Sequence, residues 1–195
     1  MGVVGLTTFT AHVDTVDPDG DPISIVWSDP FGQVGTGAEL TFKAGDVRQP
    51  FTVTVTDGKG GVASEKVTFV AGTINGAYDG NIGPALGGEY FFMLLQRTGT
   101  TITGTLADYK YETEDHHYQV GTVDPGDPGR IDADGRFRLR FKFAPYGGDF
   151  AFEGQMVPYD KPITGRFLTD YAFSGRVIGG QFNGQTVIFG EHNPY

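Results

Sequence analysis

The chain of 195 residues has no cysteine. Disulfides, thiol nucleophiles and Cys-based zinc sites are therefore excluded. It has no apolar run of the roughly 20 residues that a helix needs to cross a bilayer. Met1-Gly2-Val3-Val4 lacks the basic start and full apolar core of a signal peptide, so a secreted protein of this kind is expected to be excised from a larger multidomain chain. Basic residues are few: 14 Lys and Arg stand against 24 Asp and Glu, a formal charge of −10. That balance argues against a nucleic-acid partner, which selects a basic patch. It suits solubility and hard cations such as calcium. Serine is scarce after residue 72, with Ser174 its one occurrence, and nothing around it resembles a nucleophile elbow. No phosphate-cradling glycine loop leads into a helix, and no amphipathic helix of useful length is visible.

What is abundant is glycine, at 31 residues, with 11 Pro, 16 Phe and 9 Tyr. Such a composition favours strands joined by tight turns. The expected fold is all-β in two parts: an immunoglobulin-like β-sandwich over residues 1–71, then a small antiparallel meander β-barrel over 72–195. In the first part Phe9, Ala11 and Val13 alternate with polar residues, as do Ile23, Ile25 and Trp27. Leu40 and Phe42, then Phe51, Val53 and Val55, then Val67 and Phe69 continue the period of two, broken by turns every eight to twelve residues. Trp27 is expected at the core centre.

In residues 72–195 an Ile/Phe-polar-Gly triplet recurs at Ile74–Gly76, Ile102–Gly104, Phe152–Gly154, Ile163–Gly165, Phe173–Gly175 and Phe182–Gly184. The last four copies are nine to eleven residues apart, which suits successive strands of a meander. A glycine inside a strand permits the coiling that a closed sheet needs. Glu89-Tyr-Phe-Phe-Met-Leu-Leu-Gln-Arg97 is apolar on both faces. Phe91, Met93 and Leu95 should enter the core, while the other face needs cover from the first domain, a loop or a partner chain.

Several groups are candidates for chemistry. Asp17-Pro18-Asp19-Gly20-Asp21-Pro22 places three alternating carboxylates on a bent segment, and Asp57 sits on a later turn. Oxygen ligands clustered in this way suit calcium, with Asp17, Asp19, Asp21 and Asp57 as ligands and a structural role for the ion. The same residues also close tight turns by capping backbone amides. A second acidic loop, with Asp124, Asp127, Asp132 and Asp134, has similar chemistry. Arg136-Phe-Arg-Leu-Arg-Phe-Lys-Phe143 puts four cations on one face. It reads either as a stripe for a sulfated glycan, phosphate or acidic partner, or as a barrel strand paired with its neighbour's acids, Glu153 opposite or diagonal to Arg138 or Arg140. Tyr109, Tyr111 and Tyr118 are candidate sugar-stacking residues. His116 and His117, beside Glu112, Glu114 and Asp115, point to opposite faces of a strand and suit one metal poorly.

Read in order, Asp17-Pro-Asp-Gly-Asp-Pro-Ile-Ser, Val26-Trp27-Ser28, Leu40-Thr-Phe-Lys-Ala and Phe51-Thr-Val-Thr-Val-Thr-Asp-Gly-Lys-Gly-Gly resemble the polycystic-kidney-disease and cadherin-like immunoglobulin-fold repeats of bacterial secreted proteins. The resemblance covers about residues 7–71. It implies a spacer or adhesion module, secreted or at the cell surface, beside another domain. It leaves only Met1 to Leu6 for the usual first strand. The function expected is a non-enzymatic extracellular module pair, with a glycan or protein partner at the cell surface. The alternatives are a barrel carrying a small apolar ligand, or a carbohydrate-binding accessory region of a secreted hydrolase.

Overall fold

A computed structural model describes residues 1–83, 89–109, 119–142, 149–158 and 171–191. Every regular element among them is a strand. The chain divides into two compact units, Gly2–Ala71 and the residues from Gly72 onward.

The first unit is a sandwich of two sheets. One holds β1 (Gly2–Val3), β7 (Val62–Gly72), β6 (Arg48–Thr56), β3 (Ser24–Asp29) and β4 (Gly32–Thr36), in that spatial order. The other pairs β2 (Thr8–His12) with β5 (Glu39–Lys43). The period-two residues meet between them: Ala11, Ile25, Trp27, Leu40, Phe51 and Val53 form the core, with Val13, Phe42, Val55, Val67 and Phe69 packed against it. Trp27 is 2 % exposed, and its indole N–H donates to the Gly37 carbonyl at 3.0 Å. A large apolar ring is thus buried without stranding its one donor. Ile23 departs from the expected pattern: it lies before β3 and is half-exposed. The first strand is reduced to the two residues of β1 at the edge of the larger sheet.

The second unit is a closed antiparallel barrel. Its strands are β8 (Gly76–Ile82), β9 (Glu89–Thr98), β10 (Thr101–Tyr109), β11 (Gln119–Val123), β12 (Gly129–Ile131), β13 (Arg136–Lys142), β14 (Phe150–Pro158), β15 (Tyr171–Ile178) and β16 (Thr186–Glu191). Apart from β11 and β12, which do not pair with each other, consecutive strands pair, and β16 returns to pair with β8. β11 and β12 share one position in the wall, both lying between β10 and β13, so the barrel has eight staves.

Alternation sends the apolar residues inward. Tyr78, Phe91, Met93, Leu95, Ile102, Phe137, Leu139, Phe141, Phe152, Phe173, Val177 and Phe189 are all buried. The rings interlock, with Phe173 stacked on Phe189 at 4.7 Å and Phe137 edge-on to both. An eight-stranded barrel has an interior that side chains alone can fill, and among the described residues aromatic rings pack into this one.

Of the described triplet glycines, Gly76, Gly104, Gly154 and Gly175 lie one to a strand as expected, in β8, β10, β14 and β15, and Gly184 does not. Gly154 of β14 and Gly175 of β15 are direct cross-strand partners. A Cβ on Gly154 would collide with the Ser174 carbonyl and come within 2.6 Å of the Gly175 Cα, so the two backbones pass at a separation only glycine allows. Gly184, by contrast, lies in the turn between β15 and β16 with φ of 83°, because that hairpin needs a left-handed residue. The Ile163–Gly165 copy lies outside the described residues. On β9 the expected inward face is buried, whereas Leu94 on the outer face is 53 % exposed.

Candidate functional site

The wall is least regular where β11 gives way to β12. Thr122 faces Thr105 and Gly129 faces Ile102, so six residues, 123–128, stand where the neighbouring strand has two, 103 and 104. The Asp124-Pro-Gly-Asp-Pro insert is pushed out of the wall, since neither proline can donate to a ladder. Asp124 anchors it. Its amide donates to the Arg140 carbonyl at 2.8 Å, and one of its oxygens accepts from the Gly126 amide at 2.9 Å. The same oxygen lies 3.2 Å from Lys142 Nζ, and the other lies 3.9 Å from Arg140 Nε. Among the described residues Asp124 is the only charged side chain that is buried. The Gly126 amide first, and Lys142 and Arg140 after it, hold its carboxyl below the usual carboxylate range against the cost of burial.

The cationic face of β13 is largely answered by carboxylates. Arg138 Nε lies 3.1 Å from Glu153, its direct cross-strand partner, and Asp127 lies 3.6 Å from Arg138 Nη1 and 3.8 Å from Arg140 Nη1. Asp149 is 3.4 Å from Arg140 Nη2, and Asp134 is 2.8 Å from Arg136 Nη1. The second of the two readings of this strand, an outer face paired with its neighbours' acids, therefore describes these four cations. Each such exposed pair contributes about 0–1 kcal/mol.

Arg130 on β12 is answered differently from the cations of β13. It is exposed, stands directly opposite Arg138 in the ladder, and has no carboxylate within ion-pair reach among the described residues. Between the two strands opens a groove of about 370 Å³, lined by Thr100, Arg130, Ile131, Asp132, Arg136, Phe137 and Arg138. The turn at its end is closed by the Asp132 amide on the Arg136 carbonyl at 3.0 Å, with Gly135 at φ of 85°. Partial desolvation, and a hydrogen bond shared with Asp134, raise the Asp132 carboxyl above its ordinary value; the same bond lowers Asp134. Two carboxyls in direct contact stand much closer than the about 5–9.5 Å across which glycosidase pairs work.

In the first unit the acidic turns come together, but not around a common centre. Residues 17–21 form a turn, not an extended segment: Asp17 accepts from the Asp19 amide at 2.9 Å and the Asp21 amide at 3.0 Å, and Gly20 has φ of 76°. Asp57 likewise accepts from the amides of Lys59 at 2.7 Å and Gly61 at 2.9 Å, which lowers its carboxyl pKa. The link between the turns is Lys59, whose Nζ donates to Asp21 at 2.8 Å. Among the described residues no three His, Asp or Glu side chains stand together as a metal cluster. Tyr109 ends β10 opposite Tyr90. Tyr111, Tyr118, His116, His117, Glu112, Glu114 and Asp115 lie outside the described residues.

The order of the first unit, with a tryptophan buried in a strand of the larger sheet and two strands closing the other face, is that of an immunoglobulin-type sandwich. Residues 3–70 match the family model of the bacterial Ig domain. This Ig-like unit includes both acidic turns and the Trp27 core. No curated protein and no solved structure matches the chain. Arg130 escaped sequence reasoning because Gly129-Arg130-Ile131 is too short to show a period. Its one local signal was a cation placed between the acidic insert and the Asp132–Asp134 turn.

Proposed function

We propose that the chain is a non-enzymatic module pair of a bacterial secreted or surface protein. The Ig-like unit serves as a spacer or adhesion domain, and the barrel binds its partner on the outer wall. The observation that carries this reading is the aromatic packing of the described barrel interior: the Phe173–Phe189 stack and the rings around it take up space that an apolar ligand would need. Binding is then left to the surface, where the β12–β13 groove offers polar and charged groups. The match to bacterial Ig domains, modules that serve as non-catalytic parts of larger proteins, supports the setting. Among the described residues no helix is long and apolar enough to cross a membrane.

The test exposes the whole chain to bacterial cell walls and polysaccharides, and separately to oleate and Nile red. Retention on a wall or polysaccharide without release of reducing ends is expected, with no uptake of either apolar probe. Turnover of a polysaccharide, or a saturable apolar complex, would overturn the reading.

A further inference from the structure

We infer that the groove between β12 and β13 binds an acidic saccharide, its carboxylate or sulfate held between Arg130 and Arg138; this rests on the surface-binding function proposed above. Arg130 and Arg138 are paired residues on adjacent strands, so their side chains leave the wall side by side. Like charges directly opposite each other destabilise a sheet, and a sequence shaped by stability alone would place an acid at one of the two positions. It does so one strand further on, where Glu153 faces Arg138. Glu153 engages Arg138 Nε and Asp127 approaches Nη1 at the longer distance of 3.6 Å, and a guanidinium carries five N–H donors. Two guanidinium groups turned toward one groove suit a planar or tetrahedral oxyanion, which arginine recognises through parallel N–H donors.

The remainder of the groove decides what carries that oxyanion. Asp132 lines it, Asp134 is bonded to Asp132, and Asp127 approaches Arg138 from the loop. These acids, in a chain of charge −10, repel a densely anionic partner such as an acidic peptide or polyphosphate. They accept hydrogen bonds from hydroxyls, and Thr100 adds a group that both donates and accepts. An isolated negative charge on a hydroxyl-rich body fits both halves of the site. A uronic acid or a singly sulfated sugar has that form, and a groove of about 370 Å³ is of ligand-binding size.

The experiment is calorimetric titration of the whole chain with four probes: xylotriose bearing one glucuronate, xylotriose bearing one sulfate, plain xylotriose, and a ten-residue polyglutamate. At least one of the charged oligosaccharides should bind, more weakly as salt rises, and whichever binds names the acid. R130A should lower that affinity at least about tenfold, the loss of a charge-assisted pair, while leaving the melting temperature unchanged or higher because the opposed charge is gone. R130K should lose less, since it keeps the charge but not the planar fork. Equal binding of plain xylotriose, tighter binding of polyglutamate, or undiminished binding by R130A would each overturn the assignment. If neither charged oligosaccharide binds while the chain is still retained on cell walls, the assignment falls and the surface-module function stands.

Discussion

Two Asp-Pro segments of nearly the same composition behave differently in this protein. In the Ig-like unit Asp17 turns its carboxylate back on its own loop, accepting from the amides of Asp19 and Asp21. In the barrel Asp124 also caps an amide, that of Gly126, but faces Lys142 and Arg140 of a strand formed after it in sequence. The first closes a turn; the second fastens an insert to the wall. What separates them is burial. Asp17 is reached by water, whereas Asp124 is 6 % exposed, and a carboxylate taken out of water needs counter-charges as well as amides.

That contrast can be broken by paired substitutions. The largest effect is expected from D124A, which removes the carboxylate joining the insert to Lys142 and Arg140 and frees the 124–128 loop. The barrel's melting midpoint should fall by several degrees in calorimetry; a fall no larger than that of D17A would remove the distinction. D17A should cost the Ig-like unit about 0.5–1.5 kcal/mol, the net worth of hydrogen bonds whose donors water can reach. Trp27 is the chain's sole tryptophan and lies in that unit, so its fluorescence in a urea titration reports the change directly.

Titration sharpens the comparison at both ends of the pH scale. Asp57 and Asp124 both have carboxyls lowered from the ordinary 3.8, so their contribution is complete above that value and is lost as pH falls through the lowered folded values. Acid should therefore weaken both units. Alkali should act on the barrel: burial pushes the Tyr171 hydroxyl up from 10.0 to about 12. The unfolded chain ionises first, so stability should fall as pH rises from about 10 to about 12. An acid transition confined to one unit, or an alkaline one reported by Trp27 alone, would contradict these assignments. The smallest effect is expected from calcium. Millimolar calcium should shift the Trp27 transition least, because one oxygen of each of Asp17, Asp21 and Asp57 is already engaged by backbone amides or Lys59. A clear rise would mean that the carboxylates exchange those partners for the ion.

Much of the fold was legible because strands write their burial into alternate residues. Ala11 and Val13, Ile25 and Trp27, and Phe51 to Val55 reached the core in the expected register. Phe137, Leu139 and Phe141 turned inward with the cations outside. Glu153 stood opposite Arg138, because the hairpin fixes which residues face each other. The glycine triplets marked successive strands at Gly154 and Gly175, which are partners across a ladder, but spacing misled at Gly184, which shapes a turn. The site was least legible. Whether Asp17 serves an amide or an ion, and whether Arg130 meets an acid or another arginine, depends on which strands become neighbours. A three-residue strand after a six-residue insert gives no periodic sign of that pairing.

The most direct measurement is an NMR titration of the whole chain, following the Arg130 and Arg138 Nε–H signals together with the methyls of Leu95 and Val177 inside the barrel. With glucuronate-bearing or sulfated xylotriose, the account predicts that the arginine signals move and the interior methyls stay still; with oleate, none should move. Shifted Leu95 and Val177 methyls on adding oleate, with both arginine signals unmoved by either sugar, would contradict it.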